Sequence, residues 1–318
     1  MPASGPLFRF HFPDERLRPY ITAYFFVTFQ AGGSPPGGPP SDGTLPGGPP
    51  PAGPPEALMY PEWANIRIAL SGEVRIQIGD TVASSPECMS VITGPTTHSF
   101  KVRVRPPAAT VNVGLLPTGW ARFIKRSAAL HADRVDPLTS VFPDHADALR
   151  QSLIEAPDDA AACGVLDRFF LSLEPPDEPI SPMLARAYEL ILDPEIQNVD
   201  QFAAALGRSG RQLSRLTRDM FGFSPKTLLR RQRFMRSLVA LHDNPGQPWS
   251  ALIDDNYYDH SHFVRDFHQF MDMSPTQFQA MPRVDVDRVS YVRARQFGVP
   301  HRTLQIGLPL NRPVMEKP

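Results

Sequence analysis

The sequence predicts an α+β chain of two domains, a β-rich barrel with attached helices followed by an all-α unit. Three observations carry that reading. Apolar and polar residues alternate through much of 66–116, the spacing turns helical from about 117, and it stays helical from Ser181 to about Met281. A stiff acidic breaker, "EPPDEP" at 174–179, falls between the two parts. At 318 residues the chain is long enough for a core in each.

In order, "YITAYFFVTF" (20–29) is a β-branched and aromatic run that reads as a strand. Residues 31–55 hold ten prolines and eight glycines, so neither a helix nor a ladder can form there. The strand signals on both sides make this a loop inside the first domain. "IRIALSGEVRIQIG" (66–79) reads as a hairpin turning at Ser71-Gly72 with one face buried. Residues 90–94, 98–105 and 109–116 are further separate strands, which together suggest a cupin-like barrel. Helices are expected at 119–130, 145–156 and 159–173, the last with Leu166, Phe169, Phe170 and Leu173 as its apolar stripe. The domain plan is 1–173, a linker at 174–180, 181–282, and an unassigned tail at 283–318.

Within the helical part, Asn198 and Gln201 form a capping-box variant that starts a helix over Phe202, Ala203 and Leu206. Gly207 supplies the positive φ of a tight turn, and Ser209 caps a second helix with Leu213, Leu216 and Phe221 inward. Arg211, Gln212, Ser214, Arg215 and Arg218 lie on its outer face. Two short helices about a glycine turn, the second with free arginines, form a helix-turn-helix. Ser224-Pro225 then starts a long helix with Leu228, Phe234 or Met235, Leu238 and Leu241 on its apolar stripe. Residues 248–278 repeat the plan. Asn256 takes the turn position, Asp259 is the cap, Phe263 and Phe267 point inward, and His260, Ser261, His262 and Arg265 point outward; "SP" recurs at 274–275.

This duplicated pattern, with "D-x-S-H-F-x-R-x-F" and both "SP" pairs in register, resembles the DNA-binding region of AraC/XylS-type transcription regulators. The resemblance covers about 181–281. It implies double-stranded DNA as partner, read in two successive major-groove segments by helices at about 209–219 and 260–270. "LRPYITAYF" and "DRVDPLTSVFP" more weakly resemble the effector domain of one AraC-like branch. That implies a sensing or dimerising first domain with a small effector. RNA polymerase and a second copy of the chain are further candidate partners. The family usually carries Ala, Gly and Gly where Leu252, Asn256 and Asp272 stand.

Base edges fall to Arg211, Ser214 and Arg215 in the first module and to His260, Ser261, His262 and Arg265 in the second. Gln212, Arg218, Lys226 and Arg230 are assigned to phosphates. Charge favours the first module. Residues 208–236 carry nine cations (Arg208, Arg211, Arg215, Arg218, Lys226, Arg230, Arg231, Arg233, Arg236) against Asp219, whereas 240–282 carry Arg265 against six aspartates. Protonated histidines near phosphate would tighten binding at pH 6 relative to pH 8.

The formal net charge of −1 by itself selects no polyanionic partner. Cys88 and Cys163 make no metal or redox motif and read as reduced thiols. His260 and His262, two apart on a helix, face about 200° apart and cannot share a metal comfortably. His98 has no second ligand at metal spacing and reads as core or rim. No cofactor fingerprint, nucleophile motif or paired carboxylates are present, so no enzyme is expected. With no signal peptide and no membrane-length apolar run, a cytoplasmic protein is expected. The competing functions are a protein-interaction module and a β-barrel enzyme with a helical appendage.

Overall fold

A computed structural model of the chain describes residues 7–30, 56–86, 89–173, 181–244 and 246–281. The expectations for the Pro/Gly loop, the 174–180 linker, Cys88 and the 283–318 tail lie outside these residues.

Eight strands form one antiparallel sheet: β1 (Leu7–His11), β2 (Ile21–Phe29), β3 (Glu56–Met59), β4 (Asn65–Ile78), β5 (Thr81–Ser84), β6 (Ser90–Thr93), β7 (Phe100–Leu115) and β8 (Val135–Pro137). The main path runs β1-β2-β7-β4-β6-β8, while β3 pairs with β7 and β5 with β4. The spine is the β4/β7 ribbon, and it changes neighbours along its length. Its first half borders β2 and β6; its second half borders β3 and β5.

That ribbon corrects the hairpin expected at Ser71-Gly72. Instead, β4 runs straight through, with register shifts between Ala69 and Glu73, and the 98–105 and 109–116 runs are one strand, β7. Gly72 does take a positive φ of 78°, but inside the irregularity. A Cβ there would lie 2.3 Å from Pro107 O, so the close approach of β7 requires glycine. A continuous partner on β7 outweighs a two-residue turn signal.

The helix expected over 119–130 is broken into Pro117–Gly119, a wide π turn at Trp120–Ile124 and a 3₁₀ turn at Ala128–Leu130. Then follow α1 (Ala146–Glu155) and α2 (Asp159–Leu173), which put Leu149, Leu153, Leu166 and Phe170 against Tyr24, Ile66 and Val113 of the sheet. Of the α2 stripe, Leu166 and Phe170 are buried and Phe169 and Leu173 half-buried.

The helical half comprises α3 (Pro182–Leu192), α4 (Val199–Leu206), α5 (Gly210–Phe221), α6 (Pro225–Asp243), α7 (His260–Met271) and α8 (Pro275–Ala280). Its start signals behave as their chemistry dictates. Capping boxes form at Asn198/Gln201, Ser209/Gln212 and Ser274/Gln277, and Ser224 caps α6 with Pro225 in the first turn. Gly207 ends α4 at φ 65°. Two cores result. One gathers Leu184, Tyr188, Phe202, Leu213 and Phe221 on Leu228 and Leu229; the other gathers Tyr257, Phe263, Phe267 and Phe270 on Phe234, Met235 and Leu238. The bridging helix α6 thus serves both, and its 19 residues span about 28 Å.

Candidate nucleic-acid interface

The first module has the helix-turn-helix form: α4, the Gly207 turn, then α5. Leu213, Thr217 and Phe221 anchor the inner face of α5, so helical spacing turns Arg211, Gln212, Arg215 and Arg218 to the exposed side, with Ser214 half-buried at the edge. Arg208 precedes them and Lys226 stands exposed at the start of α6. Arg211, Arg215 and Arg218, at i, i+4 and i+7, make one basic stripe along α5; Asp219 beside it accepts a hydrogen bond from Ser127 Oγ at 3.1 Å.

The second module is built differently. A scaffold helix was expected before Asn256; the structure has a single 3₁₀ turn, Trp249–Ala251. Side chains hold the segment instead. Asp254 N donates to Ser237 Oγ at 2.9 Å, and the Asp254 carboxylate accepts from Arg236 Nε at 2.5 Å and from Asn256 N at 3.0 Å. The Trp249 ring stacks on Phe263 at 5.8 Å. Asn256 does not take the positive φ expected of it; in this module that conformation falls to Asp272, at φ 56°, matching Gly222 at the end of α5. On α7, His260, Ser261 and Arg265 are exposed, whereas His262 is half-buried beside Arg233 Nη2 at 3.1 Å. Burial, then the Arg233 charge, pushes the His262 pKa down, so this ring opposes the proton uptake expected of it.

The nine-cation surface also needs correction. Arg230 and Arg233 pair with Asp266, which is wholly buried, and Tyr257 Oη donates to the same carboxylate at 3.0 Å. Arg236 pairs with Asp254. Arg230, expected at phosphates, also donates to Gln269 Oε1 at 2.7 Å. Arg231 is 0% exposed, stacked at 4.4 Å over Trp63 with its Nε donating to Thr96 O at 3.0 Å. Burial pushes its pKa down to about 10 even though Tyr188, Glu62 and Asp133 act to raise it. The exposed cations of the first module are therefore Arg208, Arg211, Arg215, Arg218 and Lys226. The asymmetry between modules survives on this smaller number: α7 offers Arg265.

The charge count took Arg231 and Asp266 as surface charges although both are buried, yet a signal was there. Arg231 lies on the Leu228, Met235, Leu238 stripe, and Asp266 on the Phe263, Phe267, Phe270 stripe. A charge on an apolar stripe marks a buried partner.

His98 sits at the rim, paired with Asp133 at 3.7 Å. Among the described residues no group of three or more His, Cys, Asp or Glu could hold a metal ion, and no helix is long and apolar enough to cross a membrane.

Residues 202–281 match a family model described as a helix-turn-helix domain. No curated protein matches the chain at a significant level. Among solved structures, an unliganded variant of ToxT from Vibrio cholerae aligns over 72% of this chain and 94% of its own, with 9% identity and a TM-score of 0.43. ToxT from the same organism bound to an unsaturated fatty acid aligns over 73% and 92%, with 11% identity and a TM-score of 0.40. The AraC-like transcriptional activator CuxR aligns over 73% and 86%, with 10% identity and a TM-score of 0.27.

Proposed function

From a chain whose residues 202–281 form a helix-turn-helix domain of the AraC type, we infer a sequence-specific DNA-binding transcription regulator. The observation that carries it is the exposed basic face of α5, where helical spacing turns Arg211, Arg215 and Arg218 outward from a core of Leu213 and Phe221. A helix so anchored fits the major groove.

In this reading Arg211, Ser214 and Arg215 reach base edges, and Gln212, Arg218 and Lys226 meet phosphates. His260, Ser261 and Arg265 add readout through α7, where His262 acts as a neutral hydrogen-bonding ring. Arg230, tied to Asp266, holds the second module in place. The first module provides most of the affinity because it has the cations. Residues 181–282 act as the DNA-binding domain and 1–173 as the sensor. Where the two meet, Trp63, Leu116, Trp120, Met220 and Phe221 leave a cleft with room for little more than one water molecule, so it holds no effector as it stands.

The test is a titration of the full chain against a random duplex pool at several salt concentrations. With the five exposed cations of the first module brought against the duplex, whether at bases or phosphates, log affinity should fall against log salt with a slope of roughly −4 to −5. Bound fragments should share two motifs about one helical turn apart. Binding that is absent at low salt, or indifferent to salt, refutes the reading and favours a protein-interaction module or an enzyme.

A further inference from the structure

The two helical modules share α6, and Asn256 Nδ2 donates to Pro194 O across them at 3.4 Å, near the limit for such a bond. A single helix of about 28 Å is a compliant beam. Two-site readout needs the recognition helices held at fixed separation and twist, because one inserted base pair moves the second site by about 3.4 Å and rotates it.

The β-rich half reaches across this beam in two places. Leu58 and Tyr60 pack into the core of the second module, and Trp63, three residues on, is buried in the core of the first. The loop after β6 does the same. Pro95 closes on Gly222 at the end of α5, Thr96 O receives Arg231 from the middle of α6, and Ser99 caps the end of α7. Ser99 N donates to Phe270 O at 2.7 Å and Ser99 Oγ to Met271 O at 3.1 Å. These two segments are themselves fastened together. Thr96 N donates to Glu62 O and Glu62 N to Thr96 Oγ1, both at 2.9 Å, while Arg67 bridges Glu62 and Thr93.

We propose that segments 58–63 and 94–99 set the spacing between the two DNA-reading helices, with Arg231 and Ser99 as the positioning residues on which this depends. The inference rests on the proposed DNA-binding function. The β-rich half then selects which half-site spacing the protein accepts, without touching DNA itself.

The experiment uses full-length protein and duplexes that carry the selected motifs at their native spacing or with one base pair inserted. Two variants are compared with wild type. Arg231→Met keeps the apolar stack on Trp63 and loses the bond to Thr96 O, and Ser99→Ala loses one cap bond. Thermal melting checks that each is folded. Wild type should lose at least about tenfold in affinity on insertion, and the variants about threefold or less, with native-spacing affinity reduced only a few-fold. A merely structural role would lower melting temperature or overall affinity and leave this ratio untouched. The proposal is overturned if both folded variants keep the wild-type ratio, or if either folded variant binds at neither spacing. Failure of wild type to bind any duplex instead refutes the regulator function itself.

Discussion

Replacing Asp266 with alanine should destabilise the second module locally and by a calculable amount. The carboxylate is wholly buried and accepts from three donors: Arg230, Arg233 and Tyr257 Oη. Breaking a buried ion pair by removing one partner costs about 3–5 kcal/mol, because the other charge stays behind unpaired. Arg230 is 30% exposed and can return to water. Arg233 is only 15% exposed and lies over the Tyr257 ring at 4.4 Å, so it and the phenol bear the loss. The low end applies, about 3 kcal/mol. Asp266→Asn keeps an acceptor for Tyr257 and should cost about 1–2 kcal/mol. Because a chain with several cores need not unfold in one step, hydrogen exchange of the 260–271 amides is the appropriate measurement. At 1.36 kcal/mol per tenfold, α7 should exchange roughly a hundredfold faster in Asp266→Ala, with α5 unchanged. A change under about fivefold would show that aromatic packing alone holds α7 and that the arginine network is incidental.

Arg215→Ala should lower DNA affinity more than Arg265→Ala, since five exposed cations support the first module; equal losses in a binding titration contradict the ranking. Gly207→Ala meets no atom within 4 Å and pays only for its positive φ, about 1–2 kcal/mol by chemical denaturation. Gly222→Ala pays the same and also places a Cβ 2.9 Å from Pro95 Cγ, so it should be the more damaging of the two. His262 has its pKa lowered in the fold. Its neutral form is favoured, so its stabilising contribution is intact above the unfolded value near 6.5 and declines as pH falls through that value toward the folded one. His262→Gln should therefore flatten acid sensitivity of α7 exchange below about pH 6.5, whereas a mutant as acid-sensitive as wild type would contradict the assigned contact with Arg233.

The helical half was legible because its signals are local. Asn198, Ser209, Ser224, Asp259 and Ser274 all cap as their side-chain chemistry requires. Three features were not, each set by a distant partner. Ser71-Gly72 reads as a turn until β7 is seen passing beside it. The residues around Leu252 carry no helix breaker, yet Ser237 and Arg236 on another helix fasten Asp254 and cut the helix to one turn. The arginines of α6 read as solvated or phosphate-binding until Asp254, Asp266 and Trp63 are placed against them. Charge counting along a sequence weighs every cation equally; folding spends several of them internally. The basic face of α5 was foreseen because its neighbours on the same helix determine it.

Trp63 and Leu116 complete one helical core, and Leu58 and Tyr60 cover part of the other. The duplicated module is consequently no severable cassette. A fragment beginning at 181 would present Tyr188, Phe221 and Phe278 to water, lose both Ser99 bonds to the final turn of α7, and leave the Arg231 guanidinium without Trp63 and Thr96 over it. Grafting this reader onto a foreign sensor would call for transplanting the 58–63 and 94–99 edge along with it.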